Sequence, residues 1–272
     1  MDRSRRGLVP AIALVASCTV AALVGCASQP PVSDAARQVL APTGVLRVGL
    51  YEGSPSSIVQ SASQGSERGV GYDLGKALPL RLGVPFKPVV FPKNADVLAG
   101  MRAGTLDVTF TNASPERAKY IDFTPTFMDV EKSFLVVSGS RLVSIDDLRK
   151  PSLRVGVSEG SSTEGELSPL FPAATIVRVT TLKLAIEMLA DGRIDAFATN
   201  KAILFEMSDA LPSSRVLSGT WGLEHFAAGI PKGRESQLGV VSAFIDGTLA
   251  DGAVSRAVSR AGLRGVVAPA RP

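Results

Sequence analysis

The chain has 272 residues, with 29 Lys and Arg against 25 Asp and Glu and a formal net charge of +4. No Lys/Arg run of the kind that tracks a phosphate backbone stands in it, which excludes nucleic acid as a main partner. One histidine and two cysteines leave no material for a zinc cluster, and no cofactor is expected.

Arg3, Arg5 and Arg6 precede an apolar run from Leu8 to Leu23, which ends in Leu23-Val24-Gly25-Cys26. A basic start, an apolar middle and small residues before the cut describe a secretory signal. The run is short and rich in Ala and Gly, which argues against a membrane span. Leu-Val-Gly-Cys also resembles a lipobox, in which the cysteine is lipidated and becomes the mature N-terminus. Val15-Ala16-Ser17-Cys18 fits that pattern less well, because it would leave a short apolar core. Residues 1–25 are therefore expected as a lipoprotein signal peptide, Cys26 as the lipidation site, and 26–44 as a tether whose start, Ala27 to Ser33, shows no core-forming pattern. Removing residues 1–25 takes away three Arg and one Asp and leaves +2. It also removes Cys18, so no internal disulfide is possible.

Strand-like and helix-like signals then alternate. Val45 to Leu50 reads as a strand, Asp73 to Leu82 as a helix stopped by Gly83, and Pro88 to Phe91 as a strand. Asn94 to Ala103 reads as a helix, and Leu106 to Thr111 as a strand. The same grammar restarts at Leu153 to Val157 and continues through strand Ile176 to Val179, helix Thr181 to Leu189 and strand Ile194 to Ala198. Met101-Arg102-Ala103-Gly104-Thr105-Leu106-Asp107-Val108 parallels Leu189-Ala190-Asp191-Gly192-Arg193-Ile194-Asp195-Ala196: a helix end, a Gly stop, then a strand opening with an Asp. Such alternation argues for mostly parallel sheet with helices on both faces. Two half-similar units with no long linker suggest two lobes facing each other across a cleft.

The most informative stretch is Thr109-Phe110-Thr111-Asn112-Ala113-Ser114-Pro115-Glu116-Arg117, followed by Tyr120-Ile121-Asp122-Phe123-Thr124-Pro125. Ser114 offers a hydroxyl cap and Pro115 suits a first helical position, which places Arg117 in a first helical turn beside unpaired N–H groups. That combination suits a carboxylate or similar oxyanion. A surface helix with a solvated Arg reads the same residues equally well.

The stretch is similar to the T-x-T-P-E-R-x-x-x-x-D-F-(S/T)-x-P segment of bacterial extracellular solute-binding proteins of family 3, the receptors of ABC importers for polar amino acids and related solutes. The resemblance covers nearly the whole mature chain. It extends to Gly44-Val45-Leu46-Arg47-Val48-Gly49-Leu50, to Gly69-Val70-Gly71-Tyr72-Asp73-Leu74 with Leu82-Gly83-Val84, to Arg154 to Ser162, and to Phe226 to Gly233. It implies an α/β, periplasmic-binding-protein-like fold of type II, with two α/β lobes and two hinge crossovers near Glu131–Leu135 and Ser218–Leu223. Lobe 1 would hold 45–132 and 222–266, and lobe 2 would hold 133–221.

In this resemblance the ligand lies between the lobes and a hinge closes over it. Arg117 would hold its carboxylate. Thr111, Asn112, Ser161 and Ser162 match positions that present hydroxyl or backbone groups to it, with strand-end capping and a tight turn at Gly160 as rival roles. Tyr51 is kept where relatives place an aromatic, but Ser54 and Ser56 follow it in place of a second ring. The family grips a ligand ammonium with an Asp five residues beyond the Asp of an R-(I/V/L)-D-A strand. Counting from Asp195 lands on Asn200, which is neutral, with Lys201 next to it. A cleft of Ser54, Ser56, Thr111, Asn112, Ser161, Ser162 and Asn200 would be polar and short of aromatic stacking. It suits a small carboxylate-bearing ligand that need not be an α-amino acid. The lone His225 reads as a packed or surface residue, and Trp221 as hinge packing.

The expectation is thus a periplasmic, lipid-anchored, monomeric receptor that serves an ABC permease in the inner membrane and catalyses nothing. Two alternatives stand beside it. One is a cyclohexadienyl-dehydratase-like enzyme using Glu52, Glu159 or Glu224 as an acid or base. The other is a sensor lobe acting in trans.

Overall fold

The computed structural model describes residues 31–60 and 67–267. The expected signal peptide, Cys26 and the first part of the tether lie outside the described residues. Part of the remaining tether is built into the fold. Helix α1 (Asp34–Leu40) is capped by Ser33, whose hydroxyl accepts from the Ala36 N–H at 3.2 Å. Its Leu40 is 1 % exposed and joins the core around Leu46 and Val48. The sequence Ser33-Asp34-Ala35-Ala36-Arg37 carries the cap and helix formers that a tether reading overlooks.

In chain order there follow β1 (Leu46–Tyr51), α2 (Val70–Leu82), β2 (Phe86–Phe91), α3 (Asn94–Arg102), β3 (Val108–Asn112), β4 (Ile121–Phe123) and β5 (Met128–Val137). The second series comprises β6 (Arg154–Ser158), α4 (Ser162–Leu170), β7 (Thr175–Val179), α5 (Leu182–Ala190), β8 (Ala196–Asn200), α6 (Lys201–Ala210) and β9 (Ser214–Val216). The chain closes with β10 (Gly222–Pro231), α7 (Leu238–Ala250), α8 (Ala253–Ala261) and β11 (Val266–Val267). Helix ends follow local chemistry. Gly83 takes the left-handed conformation (φ 68°) that ends α2, and the Thr181 hydroxyl caps α5 by accepting from Leu184.

The sheet path runs β2-β1-β3-β10-β5-β8-β6-β7. β2, β1 and β3 are parallel, as are β7, β6 and β8. Each trio is closed by one antiparallel strand, β10 against β3 and β5 against β8, and β10 pairs with β5.

The internal repeat seen in the sequence is a repeat of contacts. Asp107 accepts from the Arg47 backbone N–H at 2.9 Å and is bridged by its guanidinium, which also donates to the Gly104 carbonyl. Asp195 does the same with Arg154 and the Gly192 carbonyl. Gly49 and Gly156 are matched too. A Cβ on either would come within 2.5 Å of Leu106 and 2.6 Å of Ile194 respectively, so only glycine lets the following loop pack this closely. The two copies differ in depth: Arg234 also reaches Asp107, which is fully buried, while the Asp195 side chain is 31 % exposed.

One hydrophobic cluster lies under α2, α7 and α8. A second takes side chains from α3, α5 and α6, and a third surrounds Phe134, Phe171 and Trp221. Full burial of each such Leu, Ile or Phe contributes roughly 1.5–3 kcal/mol.

Candidate functional site

The carboxyl ends of the parallel strands β1, β3, β6 and β8 converge on a cavity of about 50 Å³, counted as space for the centres of water molecules. Parallel α/β sheets bind ligands outside the carboxyl ends of their strands. Tyr51 ends β1, Thr111 lies near the end of β3, Ser158 ends β6, and Thr199 and Asn200 end β8; all are on the wall. The wall also takes Glu224 from the start of β10.

Arg117 is at the wall and 5 % exposed. The helix expected after Ser114-Pro115 is a single 3₁₀ turn, Arg117–Lys119, because β4 begins at Ile121. The Ser114 hydroxyl, three residues ahead of the turn, still accepts from the Arg117 N–H at 3.3 Å. An oxyanion at this wall would therefore meet the guanidinium and not a helix N-terminus. One guanidinium nitrogen donates to Thr111 Oγ1 at 2.7 Å and to the Asn112 carbonyl at 3.1 Å. Among the described residues no carboxylate lies within 4 Å of it, and its other N–H groups have no acceptor. Burial pushes its pKa down, and the charge of Glu224 opposes that shift. A buried cation without a counter-ion is costly, so its exposed face is complementary to an anion.

Asn200 is 2 % exposed and caps α6: its Oδ1 accepts from the Ile203 N–H at 3.1 Å. That bond fixes the amide, so Nδ2 points at Glu224 and donates to Oε2 at 2.8 Å. Glu224 is 7 % exposed. Burial raises its pKa, while Lys132, Arg117 and the Asn200 hydrogen bond pull it back and Glu166 adds to the rise.

The first loop is held by helix α2. The carbonyls of Pro55, Ser56 and Ser57 accept from the N–H groups of Val70, Gly71 and Tyr72, the open donors of the helix start. This sets Ser54 and Ser56 on the wall with their hydroxyls 2.9 Å apart. The Tyr51 hydroxyl is 3.5 Å from that of Ser158, and burial pushes the phenol up to about 12, so it stays neutral. Phe110 and Phe226 reach the wall from the core cluster under α2, where Phe110 packs edge-on to Phe127.

Of the residues singled out from sequence, Tyr51, Ser54, Ser56, Thr111, Arg117, Ser161, Asn200 and Glu224 line the cavity. Asn112 and Ser162 do not. They hold each other, Asn112 Nδ2 donating to Ser162 Oγ at 2.8 Å, while Asn112 Oδ1 accepts from the His225 N–H. Ser161 caps α4, accepting from Glu164. Lys201 turns away from the wall to pair with Glu131 at 2.5 Å. His225 is half exposed and bonded to Asp129, and the Trp221 ring lies beside Phe134 and Phe171. Ser158, Thr199, Asn94 and Ser57 also line the wall and were not singled out; Ser158 and Thr199 lie at strand ends, Ser57 in the loop after β1, and Asn94 opens α3. Glu52 and Glu159 are exposed and off the wall, so Glu224 is its one carboxylate among the described residues.

Residues 46–261 match the family of bacterial extracellular solute-binding proteins, family 3. The chain belongs to this family, and its fold is the α/β, periplasmic-binding-protein-like fold with a mixed sheet. It is 24 % identical over 240 residues to a glutamine-binding protein of Geobacillus stearothermophilus, covering 81 % of this chain and 91 % of that protein. It is 24 % identical over 199 residues to an ABC transporter glutamine-binding protein of Bacillus subtilis, covering 71 % and 72 %. The crystal structure of an ancestral amino-acid-binding protein, a precursor of cyclohexadienyl dehydratase, superposes with a TM-score of 0.69 and 26 % identity, covering 82 % of this chain and 98 % of that one.

Proposed function

We propose that this chain is the extracytoplasmic receptor of an ABC importer and binds a small carboxylate-bearing solute of the amino-acid class between two lobes. Lobe 1 comprises 45–132 and 222–266, lobe 2 comprises 133–221, and the crossovers lie in β5 and at the start of β10. The observation that carries this reading is Arg117: a buried guanidinium with no carboxylate partner among the described residues, lining the cavity between the two parallel strand trios. The glutamine-binding relatives support the same class of ligand. Cys26 anchors the mature protein to the cell envelope on its periplasmic side, and the protein works as a monomer beside its permease.

The dehydratase-like alternative is weaker, because Glu224 has no second acid or base beside it. The other titratable groups on the wall, Arg117 and a phenol with a pKa of about 12, are poor proton carriers near neutrality. The test is calorimetric titration of the full chain in detergent with the twenty standard L-amino acids, each recovered and analysed afterwards. Saturable binding in the micromolar range or tighter, about −8 kcal/mol, with the solute returned intact is the expected result. Turnover of arogenate or prephenate in the same preparation would replace the receptor reading with an enzyme. Labelling with palmitate that is lost in Cys26→Ser checks the anchor.

A further inference from the structure

Among the described residues, the cavity wall carries two charged side chains, Arg117 and Glu224. Both are more than nine-tenths buried, and they form no ion pair with each other within 4 Å. Two opposite charges that share a cavity without neutralising one another leave room for a ligand that carries both signs.

The carboxylate of Glu224 is only half used. Oε2 accepts from Asn200, whereas Oε1 has no donor among the described residues. The nearby ammonium of Lys132 is engaged elsewhere, paired with Glu166 and seated 5.0 Å from the centre of the Trp221 ring. Supporting the Asn200 cap would need one oxygen and no net charge; an amide at position 224 would serve equally. A buried carboxylate with a free oxygen is an expensive choice for that task.

The pairing also explains the neutral residue at position 200. An Asp there would set two carboxylates at hydrogen-bond distance, which disfavours ionising both. With Asn, the pair keeps a single negative charge and the amide aims it. We infer that Glu224, oriented by Asn200, is the cation-recognising residue of this site, and that the ligand is a zwitterion whose N–H-bearing ammonium meets Glu224 while its carboxylate meets Arg117. This rests on the receptor reading and reverses the expectation that the ammonium grip is lost with Asn200. The charge is present and comes from β10 instead of β8.

The test uses the full chain in detergent and acid pairs that differ only in the ammonium: glycine and acetate, L-alanine and propionate, L-glutamine and glutaramate, L-arginine and 5-guanidinopentanoate. Wild type, Glu224→Gln and the double variant Glu224→Gln/Asn200→Asp are titrated with each, and thermal melts check the fold. The expected result is that the best-bound amino acid exceeds its deaminated partner, and that Glu224→Gln reduces this preference by about 10- to 150-fold, the range for a hydrogen bond to a charged group. The double variant, with its carboxylate moved to position 200, recovers part of it. Equal binding of an amino acid by wild type and Glu224→Gln overturns the inference and leaves the receptor reading standing. So does equal binding of both members of a pair by the wild type. If no member of any pair binds, the amino-acid receptor reading falls and this inference falls with it.

Discussion

Arg117→Met separates stability from function in a way that few substitutions do. In the ligand-free protein the guanidinium is buried, bonded to two neutral oxygens and unpaired with any carboxylate among the described residues. Holding an ion dry costs several kcal/mol, of which two hydrogen bonds return about 3 kcal/mol together. Methionine keeps most of the aliphatic stem and drops the charge. The vacated Thr111 hydroxyl lies on the wall of a cavity that admits water, and the Asn112 carbonyl still accepts from the Ser114 N–H at 3.2 Å, so neither is stranded.

The net expectation is a gain of about 1–2 kcal/mol in the ligand-free state. At about 2–4 °C per kcal/mol for a chain of this size, the melting midpoint rises by about 2–8 °C. Binding moves the other way. Two charge-assisted hydrogen bonds to a carboxylate, about 1.5–3 kcal/mol each, correspond to an affinity loss of roughly 10²- to 10⁴-fold. Differential scanning fluorimetry without ligand and calorimetry with it read the two halves separately. A variant that melts lower than wild type while binding as well would make Arg117 a structural residue and refute the reasoning.

Three further outcomes follow from other contacts. Glu224 has a raised pKa in the folded protein, so the folded state retains a proton that the unfolded state releases; this contribution is complete below about pH 4.5 and is lost as pH rises through the folded value. Melts of ligand-free wild type against Glu224→Gln from pH 4 to 8 should therefore show wild type losing ground as pH rises, and a constant difference would contradict the burial argument. Asp107→Ala strands two arginines around a fully buried position and should cost about 3–5 kcal/mol in urea unfolding, whereas Asp195→Ala, in the matching clamp with Arg154 but 31 % exposed, should cost about 1 kcal/mol or less; equal losses would show that burial does not govern the pair. One guanidinium nitrogen of Arg68 donates to both carboxylate oxygens of Glu206, at 2.6 and 2.7 Å, and thereby ties the segment before α2 to α6 across the proposed lobes. Glu206→Ala should raise the open population about fivefold, for about 1 kcal/mol, and enlarge the ligand-free radius of gyration in X-ray scattering; an unchanged radius would remove the latch.

The architecture was largely legible because it rests on local chemistry repeated twice. The Gly stop, the apolar residue and the strand-opening Asp at 104–107 and 192–195 are short-range signals, and each recurs with the same arginine clamp. Arg117 was legible for a different reason: its motif is long. Its surroundings were not, since whether Ser114-Pro115 opens a helix or one 3₁₀ turn depends on how soon β4 must pair with β10. The tertiary contact overrides the cap. The helix Asp34–Leu40 shows the converse: its cap and helix formers stand in the sequence, but so short a run is helical only because Ala36 and Leu40 are buried in the fold.

Glu224 is the instructive case, because its signal lies in its position along β10 and not in its residue type. Strand residues alternate faces, and Phe226, Ala228 and Ile230 fix which parity of β10 enters the core. Counting back from Phe226 puts Glu224 on the inner face and Leu223 and His225 on the outer one, which is how the structure has them: Glu224 buried, its apolar neighbour 37 % exposed. A charge on the buried parity beside an exposed leucine inverts the usual pattern, and sequence keeps such an inversion only at a cost in stability. The neutral residue at position 200 and the inward charge at position 224 are thus one observation made twice. Each alone suggests a lost or misplaced charge; the 2.8 Å bond between them makes a single relocated one.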